Sequence, residues 1–406
     1  ADGDVSVNAG GSALGLDADA AGDLDIAIDP WDVTINHAVA ASGGILVVAD
    51  NNIEVDAVVD ADVGNNDTGD LIMIADFDHS SAGDLVTTAA MTGENIDLQG
   101  YNVELDQLTA DVDGFGDGSI TVTAQNNAEF EGAVTAGDIS GDVELEATAG
   151  VLESAGAGDV AAGGDVEIDA GTAVDLAGEV GNAVTPIGGT IAIGSNIAPT
   201  QSLTTRDSVI ANGGVSMESA GHIETLAAVD SLSNRVYMNA LHGNIEIYGT
   251  VDASTDVLVE ADEGFLIVDN DLTADTGDVD LDAEENIEMT GGATVEATLS
   301  DVYATAGGDF LMEDGTLITA PGATALIDIT ADNIVVDEIT TTDGAGSEIE
   351  LAAVGGSITV SDIDAAAELV ADTVDLDAVG GIGVHPVLGA SVTGPVQILD
   401  AETIQA

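Results

Sequence analysis

Ala-Gly-Gly-Asp-Val-Glu-Ile-Asp-Ala-Gly, residues 162–171, contains the pattern that decides the fold of this 406-residue chain. Its triplet Val166-Glu167-Ile168 has apolar residues on both sides of a variable one, which is the alternation of a half-buried β-strand. A fixed period along the chain indicates a solenoid, in which each repeat packs only on its neighbours. Equivalent triplets recur about every 23 residues and begin at Val5, Leu24, Ile45, Leu71, Ile96, Ile120, Val143, Ile191, Val215, Val236, Val257, Val279, Val302, Ile327, Ile349, Val374 and Val396.

Two further alternating stretches follow many of these triplets. Second strands are expected to begin at Ile53, Val103, Val174, Ile287, Phe310 and Ile358, and third strands at Val251, Leu272, Val295 and Leu317. Three short strands per rung of about 23 residues, over about 18 rungs, predict an all-β fold, a right-handed parallel β-helix. Residues 1–406 are predicted to form a single domain, with residues 196–242 as a decorated or irregular section of it.

Small polar pairs separate the strands. Glycine and asparagine tolerate positive φ, so these pairs are expected to supply the positive-φ residues that the corners need. Examples are Gly141-Asp142, Gly163-Gly164, Gly243-Asn244 and Asn51-Asn52.

The charge balance limits the partners of the chain. Seventy-seven acidic residues stand against two basic ones, Arg206 and Arg235, which gives a net charge of −75. Nucleic acids and anionic membrane surfaces are excluded as partners, because binding them needs clustered lysine and arginine. Cations or basic partners remain, and the self-repulsion of such a chain predicts that counterions or bound divalent metal stabilise it.

The chain has no cysteine and no apolar run long enough for a membrane-spanning segment. It begins with Ala1 rather than methionine, as a chain does after removal of a signal peptide. We therefore expect an exported protein, extracellular or at the cell surface.

Acidic residues at the middle of successive triplets are expected to stack into columns on the outer surface. Glu144 and Glu167 occupy two consecutive rungs, and Asp328, Glu350 and Asp375 occupy three. Like charges directly opposite each other destabilise a sheet, so bound cations, raised carboxylate pKa values or salt must relieve the repulsion. The alternative is a solvated acidic face that is tolerated at high ionic strength.

Corners rich in aspartate and asparagine are candidate calcium sites, because hard Ca²⁺ prefers carboxylate and carbonyl oxygens in glycine-containing loops. A segment at residues 111–117 begins like an EF-hand loop, but Phe115 and Val122 stand where ligands are needed, so it is not one. The candidate metal ligands form three groups: Asp60, Asp62, Asn65, Asp67 and Asp70; Asp111, Asp113 and Asp117; and Asp269, Asp271 and Asp275.

No catalytic or nucleotide-binding motif is present, and the five histidines lack metal-ligand spacing. We therefore predict that the protein is not an enzyme and assign no catalytic residue.

Residues 162–171 and 305–312 resemble the Ala-Gly-Gly-Asp-Val-x-Leu-x-Ala-Gly repeats of filamentous-haemagglutinin-type exported adhesins. The resemblance covers most of the chain in style. It implies a right-handed parallel β-helix, secretion, and a role in adhesion, a surface layer or an extracellular matrix. The chain departs from that family in having no evident secretion-domain motif and far fewer lysines.

The pattern starts and stops in mid-rung, so both ends are expected to be covered, and pairing of one end with the other propagates as an open filament. The residues expected at these ends are Val5, Val7, Val396 and Ile398. The leading hypothesis is a structural subunit of an extracellular filament, sheath or surface layer, assembling head-to-tail and stabilised by calcium or another cation. The alternatives are a secreted β-helix enzyme acting on polysaccharides, a monomeric acidic adhesin, and a soluble protein adapted to a saline solvent.

Overall fold

The computed structural model describes most of the chain. The described residues are 5–8, 18–20, 24–28, 32–63, 69–76, 82–110, 118–137, 140–182, 185–195, 202–341, 346–361, 369–382, 398–399 and 403–405. The chain divides into two compact units, residues 1–213 (unit 1) and 214–406 (unit 2). No helix occurs in these ranges, and none of their residues therefore forms a helix that could cross a membrane.

Each unit consists of three parallel sheets, and the chain adds one strand to each sheet in every turn. In unit 1 the first sheet contains Val5–Asn8, Leu24–Ile28, Gly44–Ala49, Asp70–Ile74, Ile96–Gly100, Ile120–Ala124, Val143–Ala147, Val166–Ala170 and Ile191–Ser195. The second contains Val33–Ile35, Ile53–Val55, Leu85–Thr87, Val103–Leu105, Ala128–Phe130, Val151–Ser154, Ala173–Leu176 and Ser202–Thr205. The third contains Ala18–Ala20, Val39–Ala41, Val59–Asp60, Met91–Gly93, Leu108–Ala110, Val134–Thr135 and Val160–Ala161, and single bridges through Val180 continue it to Val209–Ala211.

Unit 2 repeats this arrangement. Its first sheet contains Val215–Ser219, Val236–Ala240, Val257–Ala261, Val279–Ala283, Val302–Ala306, Leu326–Ala331, Glu348–Ala353, Thr373–Ala378 and Thr403–Gln405. The second contains His222–Thr225, Ile245–Ile247, Leu266–Val268, Ile287–Met289, Phe310–Met312, Ile334–Val336, Ser357–Val360 and Gly381–Ile382. The third contains Val229–Ser231, Val251–Ala253, Leu272–Ala274, Thr294–Ala297, Leu317–Ala320, Glu338–Thr341, Leu369–Val370 and Ile398–Leu399.

The fold is therefore a parallel β-solenoid with turns about 23 residues apart, which confirms the predicted class. It has about 14 turns, fewer than the predicted 18. The first sheets nevertheless contain 18 strands when the short ones at both ends of the chain are counted, where many of the intervening residues lie outside the described ranges. Within the section 196–242, residues 202–242 form strands of the ordinary turns, while residues 196–201 lie outside the described ranges.

The core is narrow and is filled by columns of equivalent side chains. Alternate residues point inward in most strands whose side chains are described, so the first-sheet residues Val236 and Val257 stack on each other and are fully buried. At the end of the same strands, Ala240 stacks on Ala261 where the chain turns a corner. Phe130 and Phe310 are the largest fully buried side chains. Small aliphatic residues thus fill the core, because the three sheets that enclose it lie close together.

The predicted strand positions hold along most of the first sheets, but they are wrong at two places. The triplet at Val396 was expected to follow Val374 in the first sheet. Instead, Thr403–Gln405 occupies that place, and Ile398 lies opposite Leu369 in the third sheet. The prediction was wrong because a fixed period was extended into a longer turn. In the third sheet, Ile318 rather than Leu317 lies opposite Val295, so the strand is shifted by one residue.

The other residues expected at the ends lie at the first strand. The backbone of Val5 pairs with Leu24, and that of Val7 pairs with Ile26. Val396 lies outside the described residues.

The expectation of positive φ was wrong at the four corner pairs named above, although Gly291-Gly292, another glycine pair between strands, has positive φ at both residues. Among the described residues, positive φ occurs at Asp76, Gly181, Gly291, Gly292, Gly315, Gly346 and Gly381, and at none of the four pairs named above. Glycine is needed at these corners for a different reason, which is the close approach of the previous turn. A Cβ on Gly141 would lie 2.2 Å from the Gly118 carbonyl oxygen, and one on Gly243 would lie 2.5 Å from the Gly221 carbonyl carbon.

Gly188 provides a test of this explanation. A Cβ there would lie 1.8 Å from the Gly163 carbonyl oxygen, whereas Gly156 has no atom within 4 Å of the same position. We expect Gly188→Ala to lower the free energy of unfolding by about 1 to 3 kcal/mol. Gly156→Ala should be neutral or stabilising by less than about 1 kcal/mol, because it only restricts the unfolded chain. Urea denaturation of both variants measures this, and equal effects would contradict the close-approach argument.

Candidate functional site

The outward middle residues of the first-sheet strands stack on their equivalents in the next turn. In unit 1, Glu144 lies opposite Glu167, and both are exposed. In unit 2, Glu350 lies between Asp328 and Asp375. Because neighbouring strands are about 4.8 Å apart, each carboxylate has another directly beside it. The register therefore produces acidic columns at these five positions.

Two members of the column in unit 2, Asp328 and Glu350, hold protons more strongly than isolated carboxyl groups do. Burial raises the pKa of Asp328 above its ordinary value. For Glu350, burial is the largest cause of a raised pKa, and Glu348 together with both column neighbours raises the pKa further. Desolvation and like charge both disfavour the ionised form, so raised pKa values contribute to relieving the repulsion.

A longer column on the second sheet of unit 1 was missed by the sequence reasoning. Glu104, Glu129, Glu153 and Asp175 lie in register on four consecutive strands, and we call them the glutamate column. The signal was present, since Glu104, Glu129 and Asp175 each lie between two apolar residues of a second strand, and Glu153 lies between Leu152 and the buried Ser154. The period of about 23 residues was defined by the first-sheet triplets alone, so it did not predict which residues of the second strands stack.

The glutamate column is neutralised at one end only. Arg206 donates from Nε to Asp175 Oδ1 and from Nη2 to Asp175 Oδ2, each at 2.8 Å. In the middle of the column, burial raises the pKa of Glu129, and the charges of Glu104, Glu131 and Glu153 raise it further. A groove of about 360 Å³ runs beside Glu104 and Glu129.

An acidic pair lies on the third sheet of unit 2, with Asp230 half-buried and Asp252 exposed. Asp230 is in register with Asp252, and its Oδ1 atom is buried without a hydrogen-bond partner. Burial, and secondly the charge of Asp252, raise the pKa of Asp230 to about 6. Burial also raises the pKa of Asp252, against the opposing effect of a hydrogen bond with Thr273. Asp275, a predicted metal ligand, lines the same cavity of about 280 Å³.

Hydroxyl groups provide neutral partners for several outer carboxylates. Tyr237 donates to Glu260 Oε2 at 3.0 Å, and Tyr248 donates to Glu246 Oε2 at 2.8 Å. Burial and the bond to Glu260 raise the pKa of Tyr237 to about 12. For Tyr248 the bond to Glu246 is the larger cause, and its pKa is also raised to about 12. These phenols therefore act as hydrogen-bond donors where other proteins use lysine or arginine.

The first group of predicted metal ligands is only partly described. Asp60 Oδ1 accepts a hydrogen bond from the Asp62 backbone at 3.1 Å. Asp70 Oδ1 accepts one from Asn95 Nδ2 at 2.9 Å. Two residues of this group, Asn65 and Asp67, lie outside the described ranges, and so does the whole second group, Asp111, Asp113 and Asp117.

The third group is described completely, and its carboxylates point to different partners. Asp269 Oδ1 accepts a hydrogen bond from Thr290 Oγ1 at 2.5 Å. Asp271 Oδ1 accepts one from the Thr294 backbone N–H at 2.8 Å. Within the described ranges, no group of three or more acidic or histidine side chains is placed to hold a metal ion. Calcium binding by this chain stays a prediction.

The corner aspartates instead accept hydrogen bonds from the backbone of the next turn. In unit 1, Asp142 Oδ1 accepts the Asp165 N–H at 2.8 Å, and Asp165 Oδ1 accepts the Thr190 N–H at 2.7 Å. In unit 2, Asp278 Oδ1 accepts the Asp301 N–H at 3.1 Å. Asparagine does the same at another corner, where Asn286 Oδ1 accepts the Asp309 N–H at 2.9 Å. Many acidic side chains at the corners thus connect successive turns through hydrogen bonds.

This role predicts which substitution a corner tolerates. Asp165 also accepts a hydrogen bond from Thr190 Oγ1 at 2.9 Å. We expect Asp165→Asn to retain most of the stability, because an amide oxygen can accept both bonds. Asp165→Ala should lower the free energy of unfolding by about 1 to 2 kcal/mol through the loss of both. Urea denaturation of the two variants tests this. Equal losses would indicate that the negative charge, rather than the acceptor, is what matters.

Asp230 predicts a stability that falls with rising pH. The folded state holds its proton up to about pH 6, whereas the ordinary pKa is 3.8, so stability is lost as pH rises through that window. We expect Asp230→Asn to raise the free energy of unfolding above pH 6, by roughly 1 kcal/mol after allowance for partial exposure. Below about pH 4 the variant and the natural chain should be equally stable. Urea denaturation at both pH values measures the difference.

Asp314→Asn is the matched control, because it removes the same charge from an exposed turn of the same unit. It should change stability less than Asp230→Asn does. If both variants behave alike at every pH, the burial argument for Asp230 is wrong.

Comparison with known proteins gives no match. No family model, curated protein or solved structure matches this chain.

Proposed function

We propose that this protein is a structural subunit of an extracellular filament, sheath or surface layer that assembles head-to-tail and is stabilised by cations. The observation that carries the proposal is the equivalence of the turns. Each described turn offers the next one the same row of backbone donors and acceptors, with columns of like side chains inside and outside. A turn of another copy can use that same row, and a contact of this kind propagates as a filament.

Acidic columns explain why cations enter the proposal. Each added turn places another carboxylate about 4.8 Å from the previous one in the column. Raised pKa values, tyrosine hydroxyls and Arg206 relieve the repulsion at only some of these contacts. Calcium is the cation proposed, because hard divalent ions prefer carboxylate oxygens. Its sites would lie along the acidic faces or between subunits, where carboxylates of two turns meet.

The proposed role is non-catalytic and extracellular. The outward carboxylates repeat in columns along the sheets. Such repetition is expected of a structural surface, whereas an active site would gather several different kinds of side chain at one place. The resemblance of residues 162–171 to filamentous-haemagglutinin-type repeats supports secretion and a role in adhesion or a surface layer. A monomeric adhesin or a secreted polysaccharide-acting β-helix enzyme would show itself in the same experiment by failing to polymerise.

Electron microscopy and sedimentation velocity of the full chain test the proposal. The protein is prepared in chelator at low salt and divided between millimolar calcium and sodium chloride of the same ionic strength. We expect particles to lengthen in calcium and to shorten again when chelator is added. The variant Glu104→Gln, Glu129→Gln, Glu153→Gln should need less cation to reach the same length, because its column is neutral.

The control is the exposed substitution Asp314→Asn, which should leave the cation requirement unchanged. Short particles of one length in every condition would remove the filament role. Lengthening in molar sodium chloride but not in millimolar calcium would replace calcium by general screening, as expected for a protein adapted to a saline solvent.

A further inference from the structure

Four large apolar side chains stand on the outer face of the first sheet in unit 1. Leu46 and Val48 belong to Gly44–Ala49, and Ile72 and Ile74 belong to Asp70–Ile74. The strands are paired so that Leu46 lies opposite Ile72 and Val48 opposite Ile74. The alternate residues of both strands fill the core, whereas these four are partly exposed. We call them the apolar patch.

The apolar patch interrupts a face that is otherwise polar in the following turns. The positions in register with Ile72 and Ile74 are Asp97 and Gln99, then Thr121 and Thr123, then Glu144 and Glu146. The two strands of the patch therefore read as nearly continuous apolar runs. Such runs are typical of parallel strands that are covered on both faces.

Acidic residues border the apolar patch on several sides. Asp50 follows one of its strands, the exposed Asp70 begins the other, and Asp97 lies opposite Ile72 in the next turn. Arg206, the only lysine or arginine in the sequence of unit 1, is bound to Asp175 in the second sheet. The result is a small apolar centre inside a negative rim.

We propose that the apolar patch is a docking site for a basic amphipathic segment of another protein, with apolar side chains at its centre and lysine or arginine around them. A stable protein contact takes roughly 20 to 30 residues on each side, so four side chains form only the centre of one. The rest of the footprint must lie on the acidic rim. A second copy of this chain, with 77 acidic and two basic residues, would bring negative charge against the acidic rim. A basic amphipathic partner instead complements both the apolar patch and the acidic rim.

Two synthetic peptides separate the apolar contribution from the charge. One is an amphipathic peptide of leucine and lysine, and the other has serine in place of leucine and the same lysines. Fluorescence anisotropy with the full chain at physiological salt should show the leucine peptide binding at least about tenfold more tightly. The variant Leu46→Thr, Val48→Thr, Ile72→Thr, Ile74→Thr should lose this preference and bind both peptides equally. Threonine suits outward strand positions, and circular dichroism checks that the variant folds.

Leu258→Thr is the matched control, because Leu258 is a single outward leucine on the first sheet of unit 2, between Tyr237 and Asp280. It should keep the full preference for the leucine peptide. Equal binding of both peptides by the natural chain, or a preference that survives in the patch variant, overturns the proposal. Dimerisation of the natural chain that the patch variant loses also overturns it, since a second copy would then be the occupant. The proposal holds or fails independently of filament formation.

Discussion

The parallel stacking of each turn on the one before is the interaction on which the rest of this structure depends. A single turn buries little, because its three short strands have no partner within the turn. Its hydrogen bonds and its apolar faces are satisfied by the equivalent residues of adjacent turns, as Val236 and Val257 show in the core. Stability in such an architecture is a sum over neighbouring pairs of turns. This explains why the same kinds of residue return at the same positions.

The same register that builds the core creates the electrostatic problem of the surface. A favourable residue at an inward position is favourable in every turn, but an acidic residue at an outward position meets its own charge in the next turn. The groups that contact these carboxylates are mostly neutral hydrogen-bond donors rather than cationic side chains. Backbone N–H groups bind Asp142 and Asp165, and Tyr237 binds Glu260, while Arg206 is used once at the end of the glutamate column. Carboxylates serve as hydrogen-bond acceptors as well as charges, and asparagine takes the same role at Asn286.

The sequence pattern was sufficient for the fold class and for the register of most first-sheet strands, because inward side chains must repeat wherever turns stack. It was insufficient where the turn length changes, as between Val374 and Thr403, since nothing in the triplets measures the length of a corner. The sequence pattern also does not show in which direction a side chain points or which group it contacts. Composition shows that Asp269, Asp271 and Asp275 carry oxygen ligands, but not that the first two bind Thr290 and the backbone of Thr294. The roles of corner glycines were misread for the same reason, because close approach involves residues one turn away in the chain.

The corners also determine how such a chain can change during evolution. Because Gly141 and Gly243 let the backbone pass directly over the turn below, a whole extra repeat brings its own corner and its own neighbours, and can be duplicated or deleted without disturbing the others. A single residue inserted within a strand would instead turn every following side chain of that strand from inside to outside. Length variation among descendants of this gene should therefore come in whole repeats.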